Sequence, residues 1–264
     1  MIAYKQKEHY NMDDFREIVA ILRHPGGCPW DMAQDHHSIR RELLEETCEL
    51  AEAIDKEDLT LLREELGDVM MQVLMHASME EDAGHFDLDD VADTACKKLI
   101  FRHPHVFGTL QVADVEEELA NWDQLKRQEK DQKTYTDTLE AVARTLPALW
   151  RAEKLQKKAA KAGFAWADVY AAEGKVQEEA AELDEAIQSG DPAAIEEELG
   201  DLLFAAASLA LYAKLDPEAV LHKTCEKFIR RFRATEEALS GDMKEHTVEE
   251  MIAAWQRAKE AEHE

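Results

Sequence analysis

The chain has 264 residues, 45% of them hydrophobic and 34% charged, with a formal net charge of −27. That length supports one large or two modest domains, each with a core of its own. So large an acidic excess repels nucleic-acid backbones, and leaves a small anion as ligand only where metal ions or local Lys and Arg reverse the sign.

In chain order, the residues 1–15, MIAYKQKEHYNMDDF, lack the apolar core of a signal peptide. No uncharged apolar run approaches the ~18 residues of a membrane span. With 10 glycines and 6 prolines in the whole chain, long helices are expected. Heptad-like apolar spacing predicts helices over 12–23, 38–55, 58–82, 88–101 and 114–130. Gly26-Gly27 and Gly108 mark loops, and Pro104 in HPHVFG reads as a helix stop rather than as part of a His103/His105 metal pair. His36 and His37 read as polar loop residues, with Trp30 close enough to leave a ligand contact open. A boundary falls near 132–143, dividing the chain into 1–135 and 136–264. Further helices are expected over 144–161, 168–188, 192–213, 216–238 and 247–261. Asp191-Pro192 reads as a helix start, N-cap then first turn, and Asp58 holds the same place earlier. No strand-like alternation appears, so the fold class is all-α. Cys28, Cys48, Cys96 and Cys225 form no CxxC pair, which indicates neither zinc nor disulfides and suits a reducing cytoplasm. Cys96 and Cys225 read as small core residues.

The two halves are copies of one unit. A shift of 133 carries REELGD (63–68) onto EEELGD (196–201), LLEETCELAEAIDKEDL (43–59) onto VQEEAAELDEAIQSGDP (176–192), and Trp122 and Lys126 onto Trp255 and Lys259. At a shift of 129, Cys96 and Lys98 fall on Cys225 and Lys227, and Arg102 on Arg231. Upstream, GGCPWD (26–31) answers AGFAWAD (162–168). This is a tandem duplication.

The doubled motif has a geometric consequence. Residues three apart share a helix face, so Glu46 pairs with Glu49 and Glu65 with Asp68. Both cross-pairs, 46 with 68 and 49 with 65, are centred on residue 57, inside DKEDL. In the second unit, 179 with 201 and 182 with 198 are centred on 190, inside SGDP. Antiparallel hairpins folded at those points bring four carboxylates together in each unit. Crowded carboxylates raise one another's pKa, and a hard divalent cation removes the conflict. An all-oxygen donor set favours Mg²⁺, with Mn²⁺ as the alternative, over zinc, and a di-iron bundle would need His where Glu49 and Glu182 stand. The cationic pairs Lys227/Arg231 and Lys98/Arg102, and the pairs Trp255/Lys259 and Trp122/Lys126, suit terminal phosphates and a covered ring; surface ion pairs and core tryptophans are the alternative reading.

CPWDMAQDHHS (28–38), LLEETCELAEAID (43–55), REELGDVMMQV (63–73) and RHPHVFG (102–108) resemble the first half of the MazG family of nucleoside triphosphate pyrophosphohydrolases. AGFAWAD, KVQEEAAELDEAI (175–187), EEELGDLLF (196–204) and EKFIRRFR (226–233) resemble its second half. The resemblance implies tandem all-α domains, each hairpin completing a four-helix-type bundle in a homodimer, and Mg²⁺-dependent cleavage of nucleoside triphosphates between the α and β phosphates. Nucleotide-pool cleansing or a stress response is the role it suggests. Glu179, Glu182, Glu198 and Asp201 would hold metal. Lys175, Glu178, Lys227, Arg231, Trp255 and Lys259 would contact nucleotide, and Glu178 would take the proton from water. Glu46, Glu49, Glu65 and Asp68, with Lys98, Arg102, Trp122 and Lys126, form the weaker set. Lys175 maps onto Glu42, so the first unit carries an acid where the second carries a base, and turnover is expected in the second. Ala194 stands where the family can carry a basic residue. A nucleotide-sensing module without turnover, or an acidic scaffold for basic partners, is the competing reading.

Overall fold

The computed structural model describes residues 4, 6–111, 114–239 and 241–262. Among them there is no strand, and the all-α expectation holds. The chain divides into two compact units, Met1–Lys126 and Arg127–Glu264.

The first unit opens with α1 (Met12–Arg23), started by an Asn11/Asp14 capping box. Gly27 follows, where a Cβ would meet the carbonyl oxygens of Ile21 and Leu22 at 2.2 and 2.4 Å, so only glycine fits. A single turn, α2 (Pro29–Met32), leads to the hairpin of α3 (Arg40–Asp55) and α4 (Leu59–Ala83). Asp58 caps α4 by accepting from the Thr60 and Leu61 amides. Helices α5 (Leu88–Arg102) and α6 (Pro104–Phe107) follow, with Pro104 starting a new turn after α5 has ended. The core is Val19, Ile39, Leu74, Met75 and Met79, with Phe15, Met71 and Leu88 packed around it. Helix α7 (Val115–Glu129) comes last, and the Arg102 guanidinium lies 5.4 Å from the Trp122 ring centre.

The predicted boundary region holds structure of its own. Thr134 and Asp137 form a capping box that starts α8 (Tyr135–Glu140), and Thr138 and Val142 are buried. Helix α9 (Ala148–Lys161) packs on the second hairpin, α10 (Val169–Ser189) and α11 (Pro192–Tyr212). Gly190, at φ 69, ends α10, and Asp191 then caps α11 through the Ala193 amide. Helix α12 (Pro217–Ala238) docks on α9, where Trp150 Nε1 donates to Asp216 at 2.9 Å. A 3₁₀ turn (Met243–Glu245) and α13 (Val248–Ala261) close the unit, α13 lying against α12.

One sequence reading is corrected. Cys96 and Cys225 are exposed on α5 and α12, because the helix faces that carry them point away from the packed side of each unit. His36 lies in an exposed turn, as read, and its Nδ1 lies 2.7 Å from Nδ1 of His76 and its Nε2 2.5 Å from Glu80, which also holds His85 at 2.7 Å.

Candidate functional site

In the second hairpin, Glu179 and Glu182 stand one turn apart on α10 and Glu198 stands opposite on α11. One carboxylate oxygen from each lies within 4.8 Å of the other two. Glu179 is 5% exposed, and its Oε1 accepts from Lys175 Nζ at 2.6 Å; the same ammonium reaches Glu178 at 2.8 Å. Those two hydrogen bonds, Glu178 first, raise the Lys175 pKa, so this cation stays charged. Burial, then the neighbouring Glu179, holds the Glu182 and Glu198 carboxyls above the ordinary carboxylate range. Asp201 adds to the field at Glu198.

The first hairpin repeats the arrangement with the burial exchanged between helices. Glu46, Glu49 and Glu65 bring oxygens within 4.8 Å of one another, but here the α4 member, Glu65, is the buried one, at 6% exposed. Burial and then Asp68 raise the Glu46 pKa, while burial and then Glu49 raise that of Glu65. Position 42, the counterpart of Lys175, is a glutamate, and its Oε2 is buried with no hydrogen-bond partner among the described residues.

The donor set suits a hard divalent ion. Each triad offers oxygen ligands only, and Glu65 Oε2 is buried with no partner, a position a cation would satisfy. Glu46, Glu49 and Glu65, and Glu179, Glu182 and Glu198, could hold it directly, while Asp68 and Asp201, the fourth members of the predicted quartets, stand outside those groups and would join only as further ligands. These pKa values are raised in the fold, so the strain is absent below the unfolded carboxylate pKa and grows as pH rises through the folded values. Added Mg²⁺ is therefore expected to raise the unfolding temperature at about pH 7 and to raise it less near pH 4.5. Thermal melts against NaCl of matched ionic strength check this; equal shifts from the two salts would count against a site.

Beside the second triad lies a cavity of about 660 Å³, a size that suits a small-molecule ligand. Lys175, Glu179 and Asp201 form its charged end, and Phe164, Trp166, Phe204 and Tyr212 give it aromatic walls. The sequence reading used the Trp166 stretch to align the repeats and to mark the family resemblance, and gave no site role to Trp166, Phe204, Ser208 or Tyr212. The available signal for the last three was their spacing from Asp201, which puts them on one stripe of α11. The other predicted contacts sit elsewhere. Lys227 and Arg231 are on α12, Trp255 and Lys259 on α13, and none of the four lines this cavity. Arg231 Nε donates to Glu262 at 2.6 Å, and Trp255 packs 5.1 Å from the Phe228 ring. In the first unit, Lys98 is exposed on α5, whereas Arg102 is buried over Trp122, one turn of α7 from Lys126.

The model of the MazG nucleotide pyrophosphohydrolase domain matches residues 34–107 and 172–234, so that each match contains one acidic hairpin. The chain is 39% identical over 251 residues to a nucleoside triphosphate pyrophosphohydrolase/pyrophosphatase MazG of Thermotoga maritima, covering 93% of this chain and 95% of that one. It is 42% identical over 257 residues to a nucleoside triphosphate pyrophosphohydrolase of Escherichia coli K12, covering 95% and 98%. An uncharacterized Bacillus subtilis protein, YabN, is 43% identical over 258 residues, which make up 53% of its length.

Proposed function

The chain belongs to the MazG nucleotide pyrophosphohydrolase family, and from that premise we propose that its second unit hydrolyses nucleoside triphosphates with Mg²⁺ as cofactor. The bond broken is the α–β phosphoanhydride, and the products are a nucleoside monophosphate and pyrophosphate. The protein is an enzyme, a hydrolase acting on acid anhydrides. The observation that carries the finer reading is the Glu179–Glu182–Glu198 triad, braced by Lys175 at the charged end of a cavity large enough for a nucleotide.

The chain's own groups divide the work. Glu179, Glu182, Glu198 and Asp201 hold the cofactor, which when bound supplies charge neutralisation and an activated water. Lys175 faces the triphosphate, its position fixed by Glu178 and Glu179. Glu178 is exposed beside that ammonium and accepts the proton released by the attacking water. Lys227, Arg231, Trp255 and Lys259 supply the outer contacts to the nucleotide. In the first unit, Glu46, Glu49, Glu65 and Asp68 bind a cation, but Glu42 repels a triphosphate. Lys98, Arg102, Trp122 and Lys126 therefore serve a slower site.

The active form is a homodimer. Leu66, Met70 and Val73 on α4, and Leu199 and Leu203 on α11, are exposed apolar residues at helical spacing beside the acids. A second copy covering them completes a four-helix bundle around each acidic cluster.

Turnover in ¹⁸O-water tests the reaction. A nucleoside triphosphate with Mg²⁺ is expected to give label in the monophosphate, unlabelled pyrophosphate and no orthophosphate. Orthophosphate as the product would reject the assignment.

A further inference from the structure

The second unit carries a group of cations that no carboxylate answers. Arg151, Lys154 and Lys158 follow one flank of α9, three and four residues apart, over ~10 Å of helix. Arg127, in the last turn of α7, and Lys130 just beyond it complete the group. We propose that these five side chains form a second anion site, separate from the acidic triad and its cavity, which takes a short chain of linked phosphates without a metal ion.

The protein supplies these cations with no partner. Among the described residues, none of the five makes an ion pair. The Nε atoms of Arg127 and Arg151 are buried and have no hydrogen-bond partner there, which costs free energy until an acceptor arrives. The Arg127 guanidinium lies 4.8 Å from the Tyr135 ring centre, a contact that orients it and uses none of its hydrogen-bond donors. Tyr135 opens α8, which packs on α9. Lys158 is half-buried, and burial, then Lys154, Lys130 and Arg127, pulls its pKa down. The charges acting on it are all positive, and an anion would relieve their repulsion. Acids of the same segments are engaged elsewhere: Glu153 holds Lys157 at 2.6 Å, Asp131 holds Lys133 at 3.4 Å, and Asp137 caps α8 with Thr134. In a chain with 58 acidic and 31 basic residues, chance would surround a lysine with carboxylates; here they are kept away.

The make-up of the group selects the ligand. Two guanidiniums offer paired N–H donors that match phosphate oxygens, and three ammoniums add point charges. Spread over two turns of α9, they suit two or three linked phosphates better than one small anion. The acidic triad accepts a triphosphate only through a cation, whereas here the chain's own charges do the neutralising. Leu155 and Ala159 turn another side of α9 to the cavity, so the two sites share a helix without sharing a side chain.

The first unit lacks the group. Aligning AGFAW (162–166) with GGCPW (26–30) sets Arg151, Lys154 and Lys158 on Phe15, Ile18 and Leu22 of α1. Phe15 packs against the first core.

The test uses the full chain in EDTA and measures its affinity for tripolyphosphate by calorimetry. The double variant Lys154→Gln/Lys158→Gln and, separately, Arg151→Gln are expected to weaken binding roughly 10-fold or more with unchanged thermal melts, while Lys175→Met stays within about two-fold. ATP in the same buffer should lose affinity in the same variants, because its phosphates carry the shared chemistry. Binding lost in Lys175→Met and kept in the α9 variants would place the anion at the triad and overturn the proposal. So would a wild-type chain that binds no tripolyphosphate in EDTA, or one that binds a short DNA single strand more tightly, which would make the patch a nucleic-acid surface. All of these measurements read affinity without turnover, so the outcome is independent of the assigned reaction.

Discussion

Glu179→Gln is expected to lower pyrophosphate release from a nucleoside triphosphate by at least ~100-fold, while Glu46→Gln leaves most of it. Glutamine keeps the shape of the side chain, so the fold of α10 survives, but it removes the one buried carboxylate of the second triad. On the proposed mechanism that group is a metal ligand, and its Oε1 also anchors Lys175 at 2.6 Å, so two contacts to the triphosphate would be lost together. Removing a charge that steadies the transition state costs several kcal/mol, each ~1.4 kcal/mol being tenfold in rate. Glu46 stands in the first triad, where Glu42 replaces the cation and Met71, Met75 and Met79 occupy the positions of Phe204, Ser208 and Tyr212. Steady-state assays of both variants decide the matter, and equal losses would refute the division of labour between the units.

Lys175→Glu should convert the second site to the first unit's arrangement. The ammonium contacts Glu178 at 2.8 Å as well as Glu179, and its raised pKa keeps it charged through the working range. The substitution changes the local charge by two and adds a carboxylate to a group whose members are already above their ordinary pKa. A triphosphate approaching that cluster meets repulsion that one bound cation does not cancel. KM should rise on the order of 10- to 100-fold, with Lys175→Met falling between that variant and the wild type. An unchanged KM would mean that Lys175 braces α10 and does not meet the substrate.

Much of the architecture was legible in the sequence because it is local and repeated. The caps at Asp58 and Asp191 are single-residue signals, and the structure uses both. The hairpins were readable because two independent carboxylate pairings share one midpoint, which fixes the turn without knowledge of the core. Burial was not readable. Which helix hides its glutamate, α10 with Glu179 or α4 with Glu65, depends on what packs behind it, and motif spacing is the same in both. The cavity was invisible for a related reason. It arises from Ala205 and Ser208 standing where a repeat-matched chain has Gln72 and Met75, a difference in volume that leaves the helical period unchanged. Short α8 escaped notice because its six residues carry too little periodicity, although the Thr134/Asp137 box was there to be read. Cys96 and Cys225 misled because matched apolar-looking positions need not face inward within one unit.

Each acidic hairpin is expected to grip a divalent ion, the second one beside a bound nucleotide, and anomalous scattering from crystals grown with Mn²⁺ and α,β-methylene-ATP would show both. A manganese peak among Glu179, Glu182 and Glu198, with the triphosphate against Lys175, is the predicted result; a map with no peak inside either triad would contradict it.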